Sequence, residues 1–93
     1  MNFLKLHNED GIEVSVNLAL VQVIEPCEYG KAKVSKLFFA QSVYDVLETS
    51  EEIFGMNLGR IKGLPESVVY VRKNLLQAER GPHSENWYPD LRG

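Results

Sequence analysis

Ninety-three residues with 44% hydrophobic content are enough for one small domain and too few for two. The single cysteine excludes an intramolecular disulfide and a cysteine-rich zinc site, and no apolar run approaches the length of a membrane span. A formal net charge of -3 argues against a nucleic-acid partner unless a local basic surface exists.

The charge is unevenly spread. Residues 1–54 hold four lysines against nine carboxylates, whereas residues 55–93 hold six basic residues against four acidic ones. An acidic body with a mildly basic tail suits binding to itself or to a basic partner. The opening MNFLKLHNEDG lacks the basic-then-apolar form of a secretory signal, so a cytoplasmic location is the expectation.

In chain order, residues 2–7 (NFLKLH) predict a first strand with Leu4 and Leu6 inward. Asn8 to Gly11 carry a strong turn signal, because Asp10 and Gly11 tolerate positive φ. Residues 12–16 alternate as the second strand, with Ile12, Val14 and Val16 inward. Asn17 is placed to cap one helical or 3₁₀ turn through Leu18 and Ala19. Leu20–Glu25 is apolar on both sides apart from Gln22 and predicts an interior strand. Pro26 should end that strand or place it at an edge or bulge. A turn is expected over Cys27–Gly30, then a last strand over residues 31–39, where Lys33 and Lys36 break strict alternation unless a bulge intervenes.

The stretch 42–54, SVYDVLETSEEIF, predicts an amphipathic helix. Ser42 would cap it, Asp45 would complete a short capping box, and Val43, Val46, Leu47 and Ile53 would form its apolar stripe. Gly55 is the expected stop. Beyond it, Gly55, Gly59 and Gly63 punctuate a loop. Pro65 can open a second helix to Arg80, with Val68, Val71, Leu75 and Leu76 helically spaced. Ser67–Arg72 also fits a strand, so helix is the firmer expectation only after residue 72. The end, GPHSENWYPDLRG, predicts an irregular tail whose Trp87 and Tyr88 should pack on the body or on a partner.

Several of these positions form a family pattern. Asp10–Gly11 at the turn, Asn17, the Ile24–Glu25 pair, and Ser42 with Val46 resemble the small FlbD-like flagellar proteins over residues 1–54. That family has an apolar strand, an N-G or D-G turn, a V-N-x-x-x-I-x-x-I-E run and a closing E-S-x-x-E-V helix. Gln41 stands where its Glu usually falls, and Cys27–Ala40 is short for its further glycine turn. The resemblance implies a small β-sheet closed by a helix. It implies no flagellar role.

No cluster in the sequence amounts to a catalytic signature. His7 with Glu9, Asp10 and Glu13 has the ligand types for a divalent cation, against the plainer reading of a solvated turn. His83, Glu85 and Asp90 offer a weaker version of the same idea. Cys27 lacks a histidine partner and reads as a structural thiol. Lys31, Lys33 and Lys36 beside Phe38 and Phe39 could contact single-stranded nucleic acid, or simply protect an edge strand. Tyr44, Asp45, Glu48, Glu51 and Glu52 would share one acidic helix face able to meet a basic protein surface.

The sequence therefore predicts an α+β fold: a small antiparallel sheet closed by helix 42–54, with a second helix and an irregular tail. The function it predicts is a non-enzymatic protein-interaction or assembly module without cofactor or metal, self-associating or binding a basic surface. Its interaction residues would be Tyr44, Asp45, Glu48, Glu51, Glu52, Trp87 and Tyr88. A small nucleic-acid-binding protein using Lys31, Lys33 and Lys36 is the alternative.

Overall fold

The computed structural model describes residues 3–80, so Trp87, Tyr88, the His83 group and Asn2 lie outside the described residues. Five strands and two helices follow in order: β1 (Phe3–His7), β2 (Glu13–Asn17), β3 (Val23–Tyr29), β4 (Ala32–Phe38), β5 (Val43–Val46), α1 (Ser50–Asn57) and α2 (Glu66–Arg80). The strands form two antiparallel sheets, a β1–β2 hairpin and a three-stranded sheet ordered β3–β4–β5. This is an α+β fold.

The first hairpin forms as the sequence predicts. Asn8 Oδ1 accepts from the N–H groups of Asp10 (2.9 Å) and Ile12 (3.0 Å), and Gly11 takes φ +79°. Leu4 pairs with Val16 and Leu6 with Val14. Ile12 departs from expectation: it sits in the turn rather than in β2 and stays 60% exposed. Asn17 caps a 3₁₀ turn over Leu18–Leu20 through a bond from Ala19 N–H.

Leu20–Glu25 is not the interior strand. Leu20 and Val23 are exposed, and β3 begins at Val23 on the outer edge of its sheet. It runs through Pro26 to Tyr29, because an edge strand can point its proline away from the ladder. The expected four-residue turn shrinks to Gly30–Lys31, with Gly30 at φ +60°. The strand covered on both faces is β4. Ala32 and Val34 face α2, while Ser35 and Leu37 face α1 and the hairpin. Its register against β3 runs without a bulge, so Lys33 and Lys36 fall on opposite faces.

The predicted helix 42–54 is corrected most. Its first half is β5, pairing Val43 with Phe38 and Val46 with Ser35. Ser42 caps nothing, and Asp45 pairs with Lys36 instead of closing a capping box. The helix starts eight residues later, at a full capping box. Thr49 Oγ1 accepts from Glu52 N–H at 3.2 Å, and Glu52 accepts from Thr49 N–H at 2.9 Å. Gly55 lies inside α1 with Ile61 closely packed on it, and the helix ends in a Schellman arrangement around Gly59 at φ +76°. Thr49→Ala is expected to cost about 1 kcal/mol of stability, measured by urea denaturation. A change within 0.3 kcal/mol of zero, on the order of measurement error, would show that α1 does not depend on its cap.

α2 is one continuous helix, so residues 67–72 are helical throughout. Its buried stripe is Val69 and Leu76, with Arg72 and Arg80 on the same inner face; Val71 is exposed. Two core clusters result. Leu6, Val16, Leu37, Val46, Ile53 and Met56 join the hairpin, sheet and α1, while Ala32, Val34, Leu47, Val69 and Leu76 join the sheet to α2.

Candidate functional site

Among the described residues, two polar seams and an apolar groove bring side chains of interest together. The first seam joins the hairpin to the rest of the molecule. Leu47 N–H bonds His7 O at 2.8 Å, and the next residue, Glu48, is fully buried. Glu48 accepts the His7 backbone N–H at 2.9 Å, and its other oxygen lies 2.7 Å from His7 Nδ1. Arg72 binds Glu52 through both terminal nitrogens, at 2.5 and 2.8 Å, and donates to the Leu47 carbonyl at 3.1 Å. Burial opposes the Glu52 charge, but the bonds from Arg72 and Thr49 outweigh it and hold its carboxyl below the ordinary range.

That depression sets the sign of a pH effect. A carboxyl with a lowered folded pKa adds stability above its unfolded pKa, and the gain is lost as pH falls through the folded value. Glu52→Gln is therefore expected to flatten the loss of stability on acidification below about pH 4.5, the group's ordinary value. Denaturation midpoints of both proteins from pH 7 to 3 check it; parallel curves would contradict it.

The second seam lies where α2 ends. Arg80 bonds Glu9 through one terminal nitrogen and Asp45 at 2.5 Å through the other, with its guanidinium 4.8 Å from the Tyr29 ring centre. Lys36 adds a 3.1 Å bond to Asp45. Burial disfavours the Arg80 charge, while its contact with Tyr29 and its hydrogen bonds to Asp45 and Glu9 raise its pKa overall.

These seams redistribute the sequence-predicted site residues. Tyr44 and Asp45 lie on β5, Glu48 is buried, Glu52 binds Arg72 and Glu51 is exposed, so no single acidic helix face exists. The hydrophobic spacing of 42–54 suited both a helix and a strand, and pairing with β4 decided it. Lys36 is bound to Asp45, while Lys31 and Lys33 sit at the β3–β4 turn, so the three lysines form no common surface. Glu9 binds Arg80, His7 meets Glu48, and Lys5 lies 3.9 Å from Glu13; among the described residues no group of three metal-ligand side chains converges. Burial pushes the Cys27 thiol above its ordinary value against an opposing pull from Lys36, which disfavours the reactive thiolate. Among the described residues no helix is long and apolar enough to cross a membrane.

The groove is the feature sequence reasoning missed. About 530 Å³ in volume, it is lined by Phe3, Val14, Val16, Leu20, Phe39, Val43 and Tyr44, with Ser15, Asn17 and Ser42 between them. Four consecutive β2 residues line it, so it runs along the strand's edge rather than across one face. Its opposite wall is the β4–β5 turn and the start of β5. Among the described residues no strand pairs with that edge of β2, and none of the lining side chains is charged. Phe3 and Val43 are each 52% exposed and Leu20 is 62% exposed. The sequence hints at it only through Leu20 and Phe39, apolar residues that a small sheet closed by one helix leaves uncovered.

No family model, curated protein or solved structure matches this chain. Nothing in these comparisons supports the FlbD-like resemblance of residues 1–54, whose closing-helix positions Ser42 and Val46 fall before and on β5, and the functional argument rests on the groove.

Proposed function

We propose that this chain is a small non-enzymatic protein-interaction module that binds an extended, apolar segment of a protein partner in the β2 groove. One observation carries the reading: the contrast between the outer edges of β3 and β2. The outer edge of β3 has Pro26 at its centre and exposed Glu25 and Glu28 beside it, the usual devices against strand addition. The outer edge of β2 has no proline, and an uncharged apolar groove runs along it. Main-chain bonds to such an edge give affinity, and alternate side chains entering the groove give specificity.

The reading departs from a docking face for a basic surface, because Asp45, Glu48 and Glu52 are already engaged within the chain. Selection of a displayed peptide library on the protein tests it. Enriched peptides are expected to alternate apolar and polar residues and to lose binding to Leu20→Glu, a change at an exposed site that leaves the core intact. Failure to enrich any sequence, or enriched peptides indifferent to Leu20→Glu, would overturn the proposal.

A further inference from the structure

We infer that the groove's partner is a second copy of this chain, joined by antiparallel pairing of β2 with β2 about a two-fold axis at Ser15. The inference rests on the groove reading above and names its occupant. It begins with which backbone groups of β2 are free. Asn8 N–H bonds Ile12 O at 2.9 Å, which marks Asn8–Ile12 as a bonded pair of the hairpin. Bonded and non-bonded pairs alternate along an antiparallel ladder. Leu6–Val14 and Leu4–Val16 are therefore bonded pairs, and Glu13, Ser15 and Asn17 turn their main-chain groups away from β1. His7, opposite Glu13, has the same phase: its N–H and carbonyl point out of β1, to Glu48 and to Leu47. Among the described residues no main-chain group bonds to those of Ser15.

These outward groups are self-complementary. With the axis at Ser15, each Ser15 exchanges both main-chain bonds with Ser15 of the second copy. Each Asn17 N–H meets the Glu13 carbonyl of the other chain, while its own carbonyl stays with the 3₁₀ turn it caps. Moving the axis one residue either way would set an outward residue against Gly11 in the turn or Ala19 in the 3₁₀ segment. The side chains agree with the backbone. Val14 of one copy and Val16 of the other become non-bonded neighbours on the core face, about 4.5 Å apart between Cα atoms. They extend the cluster that holds Leu6 and Leu37 across the axis. On the other face Glu13 lies opposite Asn17, so no like charges meet. The hairpins become one continuous antiparallel sheet with an isologous interface. The exposed Phe3, Leu20 and Val43 of each groove are then covered by β2 of the other copy.

Sedimentation equilibrium of the full chain across a wide concentration range tests the inference. The native chain should pass from monomer to dimer as concentration rises. Ser15→Pro removes an N–H that the β1–β2 ladder does not use, and should hold the chain monomeric with unchanged circular dichroism. Asn17→Asp keeps an oxygen for the Ala19 N–H but sets a carboxylate opposite Glu13 on both sides of the axis. It should weaken the dimer about fivefold, and Glu13→Lys/Asn17→Asp should restore it. These charge variants decide alone if Ser15→Pro does not fold. A native chain that stays monomeric would overturn the inference, as would a dimer indifferent to Ser15→Pro. Weakening by Asn17→Asp that Glu13→Lys fails to reverse would overturn the register and the inference with it. A monomer whose library-selected peptides lose binding to Leu20→Glu would refute self-pairing and leave the groove reading standing. A dimer broken by Ser15→Pro, with no peptide enriched, would uphold the pairing and refute the peptide-binding reading.

Discussion

Leu47→Ala is expected to lower the unfolding free energy by about 2–4 kcal/mol, the loss of transfer energy plus the residual cavity. Leu47 is fully buried in the cluster of Ala32, Val34, Val69 and Leu76. Its backbone is held from two directions, by the N–H bond to His7 O and by the Arg72 bond to its carbonyl. The site therefore has little freedom to collapse around the missing atoms, which places the cost toward the upper part of that range. Urea denaturation with an unchanged slope would report it cleanly. Leu20→Ala, at a 62% exposed position, is the matched control and should stay within about 0.5 kcal/mol of wild type. A Leu47→Ala loss no greater than that control would refute the packing described here.

Glu48→Ala should be comparably damaging, at about 2–4 kcal/mol, because it strips a buried hydrogen-bonded group of its partner. The carboxylate is wholly enclosed and accepts from the His7 backbone N–H while meeting the His7 ring. Its removal leaves that N–H unsatisfied within the joint between hairpin and sheet. Glu48→Gln retains an oxygen for the same N–H and should recover about half the loss. The double cycle with His7→Ala should show a coupling of about 1 kcal/mol or more; additive losses would mean that the two side chains act independently. The joint also positions β2 against β5. Peptide affinity for the groove should thus fall in Glu48→Ala before global unfolding is reached, linking this internal carboxylate to the binding face.

Local chemistry explains which elements were legible. The Asn8–Gly11 turn and the Asn17 cap depend on side-chain bonds spanning two to four residues, and both are visible in the order of residues. Thr49-Ser-Glu-Glu52 is equally visible as a capping box, but Val43, Val46 and Leu47 share helical spacing and point to a start at Ser42. Four residues are too few to separate a period of 3.6 from one of 2 when one face carries Val43 and the other Tyr44 and Val46. In α2 the inner face differs from the hydrophobic pattern for another reason. Arg72 and Arg80 belong to it, and hydrophobic patterning does not register a guanidinium that is satisfied by carboxylates distant in sequence.

By itself the sequence determined the α+β composition, the first hairpin, the edge placement available to a strand containing Pro26 and the helical run toward Arg80. Each follows from backbone preferences and from contacts made within a few residues. Tertiary structure alone decided that β5 pairs with β4, that Glu48 closes on His7 across 41 residues and that the free edge of β2 borders an uncharged groove. Those outcomes depend on which surfaces meet when the sheets close. The free energy of burial belongs to that meeting and not to any one segment.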